Sequence, residues 1–198
     1  MVQNGILQRI GRGKFTIGEE KKYTPEISST IKTVFKKLKI EFPYTNICVW
    51  NTSVLNEFMQ HQPNHFFILV ETDKETTNSV FYFLREIKKS VFIKPTNDIL
   101  EKYNLNERET FIIKPIISEA PTQNINGIET VTIEKMLVDI FCDDVIFSAQ
   151  QGGEMRTIFK NAFEKYTINQ SKMLRYADRR RKKEELNQFI KTISNLWQ

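Results

Sequence analysis

The stretch HFFILVET at 65–72 most constrains the fold. From Phe66 to Glu71, five of six residues are apolar, a run too short for a buried helix. It reads as a buried strand, and such a strand needs a layer on each side. TNICVW (45–50) is a second strand candidate, SVFIKP (90–95) a third and ETFIIKPII (109–117) a fourth. Pro115 pushes the last toward a sheet edge or a bulge, because proline donates nothing to a ladder. Between these runs the period changes to helical. Ile27, Ile31, Val34, Phe35 and Leu38 form one apolar stripe after a Thr24-Pro25 start, with lysines 32, 36, 37 and 39 on or beside the wet face and Pro43 as the stop. TSVLNEFMQHQ reads as a short helix stopped by Pro63, TTNSVFYFLREIKK (76–89) as a helix and TNDILEKYN as a short one. Alternating strands and helices predict βαβ units in a partly parallel sheet.

The last third changes character. Ile133, Met136, Leu137, Ile140 and Phe141 follow a helical stripe behind a Thr132 cap, as do Met155, Ile158, Phe159, Ala162, Phe163 and Tyr166. Leu186, Phe189, Ile190, Ile193 and Trp197 form a closing stripe. The predicted fold class is mixed α/β: a short N-terminal wing-like β-hairpin, a partly parallel sheet with flanking helices, and a C-terminal helical segment. No Gly/Ser/Pro-rich linker separates the sheet from the helices, so a shared core over 24–198 is expected, with 1–23 as an appendage.

In 198 residues, 40% hydrophobic content with 15 Phe excludes wholesale disorder. A net charge of +5 permits an acidic partner without demanding one. Cys48 and Cys142 lie in apolar runs without metal or redox spacing and read as buried small hydrophobes. No run approaches the ~18 apolar residues of a membrane span, and no signal-peptide core opens the chain, so a cytoplasmic location is expected.

Two cationic clusters stand out. In GILQRIGRGKFTIG (5–18), Arg9, Arg12 and Lys14 surround Gly11 and Gly13. A glycine-cornered basic ribbon is what a winged helix uses to meet backbone phosphates; the alternative is a solvated hairpin on a sheet edge. Arg179, Arg180, Arg181, Lys182 and Lys183 follow one another directly, with Arg175 just upstream. They would contact nucleic acid or an acidic protein, or form a solvated face countered by Asp178, Glu184 and Glu185. His61 and His65 have helical metal spacing, but Pro63 breaks the geometry and no third ligand is near. Gln151-Gly152-Gly153 before a helix reads as a turn. There is no P-loop, nucleophile elbow, dinucleotide fingerprint or zinc-finger spacing, and no cofactor is expected. Glu71, Asp73 and Lys94 near strand ends keep open one rival reading, a nuclease-like α/β enzyme, active or degenerate, using a divalent metal.

GILQRIGRGKFTIG, VTIEKMLVDIF and MLRYADRRRKKEELNQFI together, in order, resemble the AbiEi-type antitoxins of bacterial abortive-infection (type IV toxin–antitoxin) systems. The resemblance implies a non-enzymatic antitoxin and transcriptional regulator. Its C-terminal domain neutralises a nucleotidyltransferase-like toxin, and its winged helix represses its own operon by binding operator DNA. Carried over by position, Arg9, Arg12 and Lys14 become wing contacts to phosphate. The helix-turn-helix expected before the wing is missing, since only four residues precede Gly5. DNA binding by these residues alone is therefore expected to be weak or lost, and 1–23 reads as a wing remnant on a 24–198 antitoxin-like domain.

Overall fold

The computed structural model describes residues 7–11, 14–17, 21–104 and 109–195. Two strands, β1 (Leu7–Gly11) and β2 (Lys14–Ile17), pair antiparallel as a sheet of their own, with an irregularity between Arg9 and Gly11. Helix α1 (Ser29–Glu41) begins later than the Thr24-Pro25 signal. Ser28 supplies the capping oxygen, accepting from the Ile31 N–H at 3.3 Å, while Pro25 is itself buried. Ile31, Val34, Phe35 and Leu38 are buried, as the stripe predicts.

The apolar run at 65–72 becomes β4 (Phe67–Thr72), with all six residues buried. It lies between β3 (Ile47–Asn51), antiparallel to it, and β6 (Thr110–Pro115), parallel to it. The short β5 (Val91–Ile93) completes a sheet of order β3-β4-β6-β5 by pairing parallel with β6. The mixed α/β class is the one expected. Two helices of the crossovers are α2 (Thr77–Ile87) and α3 (Asn97–Asn104), whereas TSVLNE forms only a 3-10 turn.

Pro115 corrects the sequence reading. Strand β6 is central, not at an edge. Proline is tolerated because it is the last residue of the strand. The next N–H, of Ile116, donates to Thr72 O at 2.7 Å. Neighbouring amides of a strand point to opposite sides, so the missing N–H of Pro115 would face β5, which has already ended opposite Ile113.

A second hairpin, β7 (Thr122–Ile125) and β8 (Ile128–Val131), has no counterpart in the sequence reading. Its signal was present: Asn126-Gly127, with positive φ at both residues (52° and 82°), is the turn that matches strand twist. The hairpin lies beside β3. It leads into α4 (Ile133–Cys142), capped by Thr132 as expected. There the amphipathic reading fails. Every residue from Ile133 to Ile140 is buried, including Glu134, Lys135 and Asp139.

Three more helices follow: α5 (Gly153–Lys165), α6 (Gln170–Arg179) and α7 (Lys183–Asn195). Alternation along the strands splits the core into two layers. Val49, Ile68, Val70, Phe111 and Ile113 pack against α1 and α2. Cys48, Trp50, Leu69 and Ile112 pack on the other face with residues of α3 to α7. Tyr23 is buried in this second layer, and the chain just before it pairs with Thr167 through Thr167 N to Lys21 O at 3.0 Å. Strand β1 runs beside α6. Among the described residues no helix is long and apolar enough to cross a membrane.

Candidate functional site

Parallel strands leave a crevice at their carboxyl ends where the chain departs to opposite faces of the sheet. Here β4 and β6 are neighbours; β4 continues into α2 on one face, while β6 continues through β7 and β8 into α4 on the other. A cleft of about 900 Å³ opens at this point, lined by Asp73–Glu75, Ile116–Ala120 and the β7–β8 hairpin. Its polar groups are largely spoken for. Asp73 accepts from the backbone N–H of Asn46 (2.8 Å) and from Asn46 Nδ2 (3.0 Å). Glu129 accepts from Thr122 Oγ1, and Lys39 donates to the carbonyls of Pro43 and Thr45. Glu119, in left-handed backbone (φ 60°), takes Arg179 Nη2 at 2.5 Å and Arg175 Nε at 3.5 Å. A non-glycine residue held at positive φ marks a segment fixed by its surroundings.

Near the carboxyl end of β4 lies a buried group of ionisable side chains. Lys135 Nζ donates to Glu71 Oε1 at 2.6 Å and to Asp139 Oδ2, and all three side chains are 0% exposed. Trp50 Nε1 also donates to Glu71 Oε1 (2.9 Å). Tyr176 Oη and Arg180 Nη1 donate to Asp139 Oδ1 at 2.9 and 2.7 Å. Burial works against the Lys135 ammonium, yet Asp139 and Glu71 outweigh it and hold its pKa above that of an ordinary lysine. Burial likewise opposes ionisation of Asp139, but Lys135, Lys114 and Arg180 together keep it below the ordinary carboxylate value. The network joins β4, α4 and α6 and has no exposed carboxylate oxygen to offer a substrate.

The cationic run at 179–183 is therefore not one patch. Arg179 holds Glu119 on the cleft wall, Arg180 reaches the buried Asp139, and Lys182 pairs with Glu185 at 2.5 Å. Arg181, at φ 57°, forms the left-handed stop between α6 and α7, and it and Lys183 are exposed. Arg180→Ala is expected to cost about 2 kcal/mol, the worth of a hydrogen bond to a buried charge. Arg181→Ala and Lys183→Ala should leave the melting temperature essentially unchanged, as thermal unfolding of the three variants will show.

Arg9 and Lys14 stand in β1 and β2, with Arg9 opposite Phe15 and Gly11 opposite Lys14; Arg12 lies outside the described residues. Glu71, Asp73 and Lys94 do not form a set. Glu71 is taken by Lys135 and Trp50 and Asp73 by Asn46, while Lys114 rather than Lys94 stands opposite Glu71 in the register. Lys94 follows β5 with φ 48°, two strand positions from β4, roughly 10 Å at the usual inter-strand spacing. His61 faces Glu154 at 3.3 Å. Among the described residues no three His, Cys, Asp or Glu side chains are grouped to hold a metal ion. Burial pushes the Cys142 thiol up to about 11, and Cys48 is fully buried with its pKa also raised.

No curated protein and no solved structure matches the chain. A family model described as a family of unknown function, DUF6577, matches residues 1–196, and the chain belongs to that family.

Proposed function

We propose that this protein is a non-enzymatic, AbiEi-like antitoxin of the cytoplasm, whose body grips a nucleotidyltransferase-like toxin. The N-terminal hairpin is the wing of a DNA-docking module that, with a recognition helix, represses the operon. The observation that carries the reading is the pairing-off of charge in and near the cleft. The carboxylates Asp73, Glu119 and Glu129 are held by this chain's own donors, and the Glu71–Lys135–Asp139 set is buried. What remains is a concave surface suited to holding a partner segment. Two further features support it: β1 and β2 form a sheet separate from the main one, and Arg9, Arg12 and Lys14 fall where the resemblance to AbiEi-type antitoxins implies wing contacts.

The cleft is the toxin-contact surface in this reading. Ser118 lines it and is exposed, so Ser118→Trp fills the space without entering the core. Co-expression with a nucleotidyltransferase-like toxin, the proposed partner, is the test. The wild-type chain is expected to restore growth, and Ser118→Trp to weaken the complex at least tenfold at unchanged melting temperature. A chain that gives no rescue, or a Ser118→Trp variant that rescues fully, would count against the cleft as the grip.

A further inference from the structure

Another basic surface of this protein lies away from the run at 179–183. Helix α1 and the segment 77–89, side by side over one face of the sheet, hold seven Lys and Arg against two Glu. That excess of five equals the net charge of the whole chain. Phe42, which caps α1, meets Phe83 of α2 edge-on at 5.8 Å, and Glu109 ties Thr30 of α1 to Lys88 at 2.6 and 2.9 Å, so the two helices share one outer face. Lys32, Lys36 and Lys37 are exposed there, and no acidic side chain among the described residues pairs with them. Arg85 of α2 and Lys89 just beyond its end extend the surface. Set among these cations are side chains that water does not favour: Tyr44 is 98% exposed, Ile40 80% and Tyr82 64%.

We propose that the α1–α2 face binds single-stranded nucleic acid, with Lys32, Lys36 and Lys37 on the phosphates and Tyr44 and Tyr82 stacking on bases. Uncompensated lysines interleaved with exposed aromatic rings are the two components of a sequence-tolerant strand-binding surface. A duplex would leave the rings without a base face to meet. Lysine is depleted in protein–protein interfaces, which disfavours an acidic protein here. The face lies on the opposite side of the sheet from α6 and the hairpin beside it, so it is separate from the proposed wing.

Fluorescence anisotropy of the full chain with a labelled oligo-dT and oligo-U of ~20 nucleotides, from low to physiological salt, tests this. Binding is expected to weaken with salt. K32E/K36E/K37E should lower affinity by more than tenfold and reduce the salt slope by about two, at roughly 0.7 per phosphate contact on a single strand. Tyr44→Ala and Tyr82→Ala should each cost about tenfold with the slope unchanged. R9A/K14A should leave this binding intact. The proposal is overturned by an absence of binding at low salt, by unchanged affinity in the triple variant, or by loss on R9A/K14A instead. It is also overturned by equal affinity for duplex or for poly-glutamate together with indifference to the tyrosines.

Discussion

Lys135→Met is expected to lose about 3–5 kcal/mol of stability, because it leaves Glu71 and Asp139 buried without their shared cation. That is a large part of the 5–15 kcal/mol a domain typically has, and it corresponds to a melting temperature lower by roughly 10 °C. Lys36→Met, the same change on an exposed face, is expected to do almost nothing. The pH profile adds a sign. The folded pKa of Asp139 is depressed, so its contribution is present above its unfolded value of about 3.9 and is lost as pH falls through the lower folded value. Lys135 is raised, so its contribution is present below about 10.4 and is lost only as pH climbs through its still higher folded value. The network's contribution is therefore level from about pH 5 to about pH 10. Lys135→Met removes the largest of the charges holding Asp139 down, so acid unfolding should begin at higher pH, as circular dichroism against pH will show.

Trp50→Ala is expected to cost about 3–5 kcal/mol from the lost burial and the cavity left behind. Trp50 is 0% exposed, stacks on Phe147 at 5.9 Å and donates to Glu71. Glu71 Oε2 already meets no donor among the described residues, so this carboxylate has little to spare. Trp50→Phe keeps a six-membered ring and loses the pyrrole part of the indole with its N–H, so it combines the lost hydrogen bond, about 1–3 kcal/mol, with a smaller void than Ala leaves, and denaturant unfolding compares the two variants. A Phe variant as damaged as the Ala variant would show that the hydrogen bond, not the packing, governs this site.

These two residues mark where sequence reading stops. The strands of the main sheet and the stripes of α1, α2, α5 and α7 are legible because each has a local period, and the β7–β8 turn is legible in Asn126-Gly127. The charges of α4 are not. Periodicity assigns a charged residue to water, and the partner that keeps Lys135 inside, Glu71, is 64 positions away. The one local hint was Lys135 and Asp139 at i and i+4 in a helix otherwise rich in apolar residues. The run at 179–183 divides among partners for a related reason. Successive residues near a helix end point in different directions, so neighbours in the chain became partners of Glu119, Asp139 and Glu185 rather than one surface. Three cations with no acidic partner among the described residues stand at 32, 36 and 37, spaced along a helix and so less conspicuous in the sequence than an unbroken run.

The most direct measurement is light scattering on the purified chain mixed with a purified nucleotidyltransferase-like toxin, the partner proposed for it, in about 0.5 M salt, where charge attraction alone is screened. A single species at the summed mass, lost with Ser118→Trp, is the expected result. Two separate species at every mixing ratio would contradict the account.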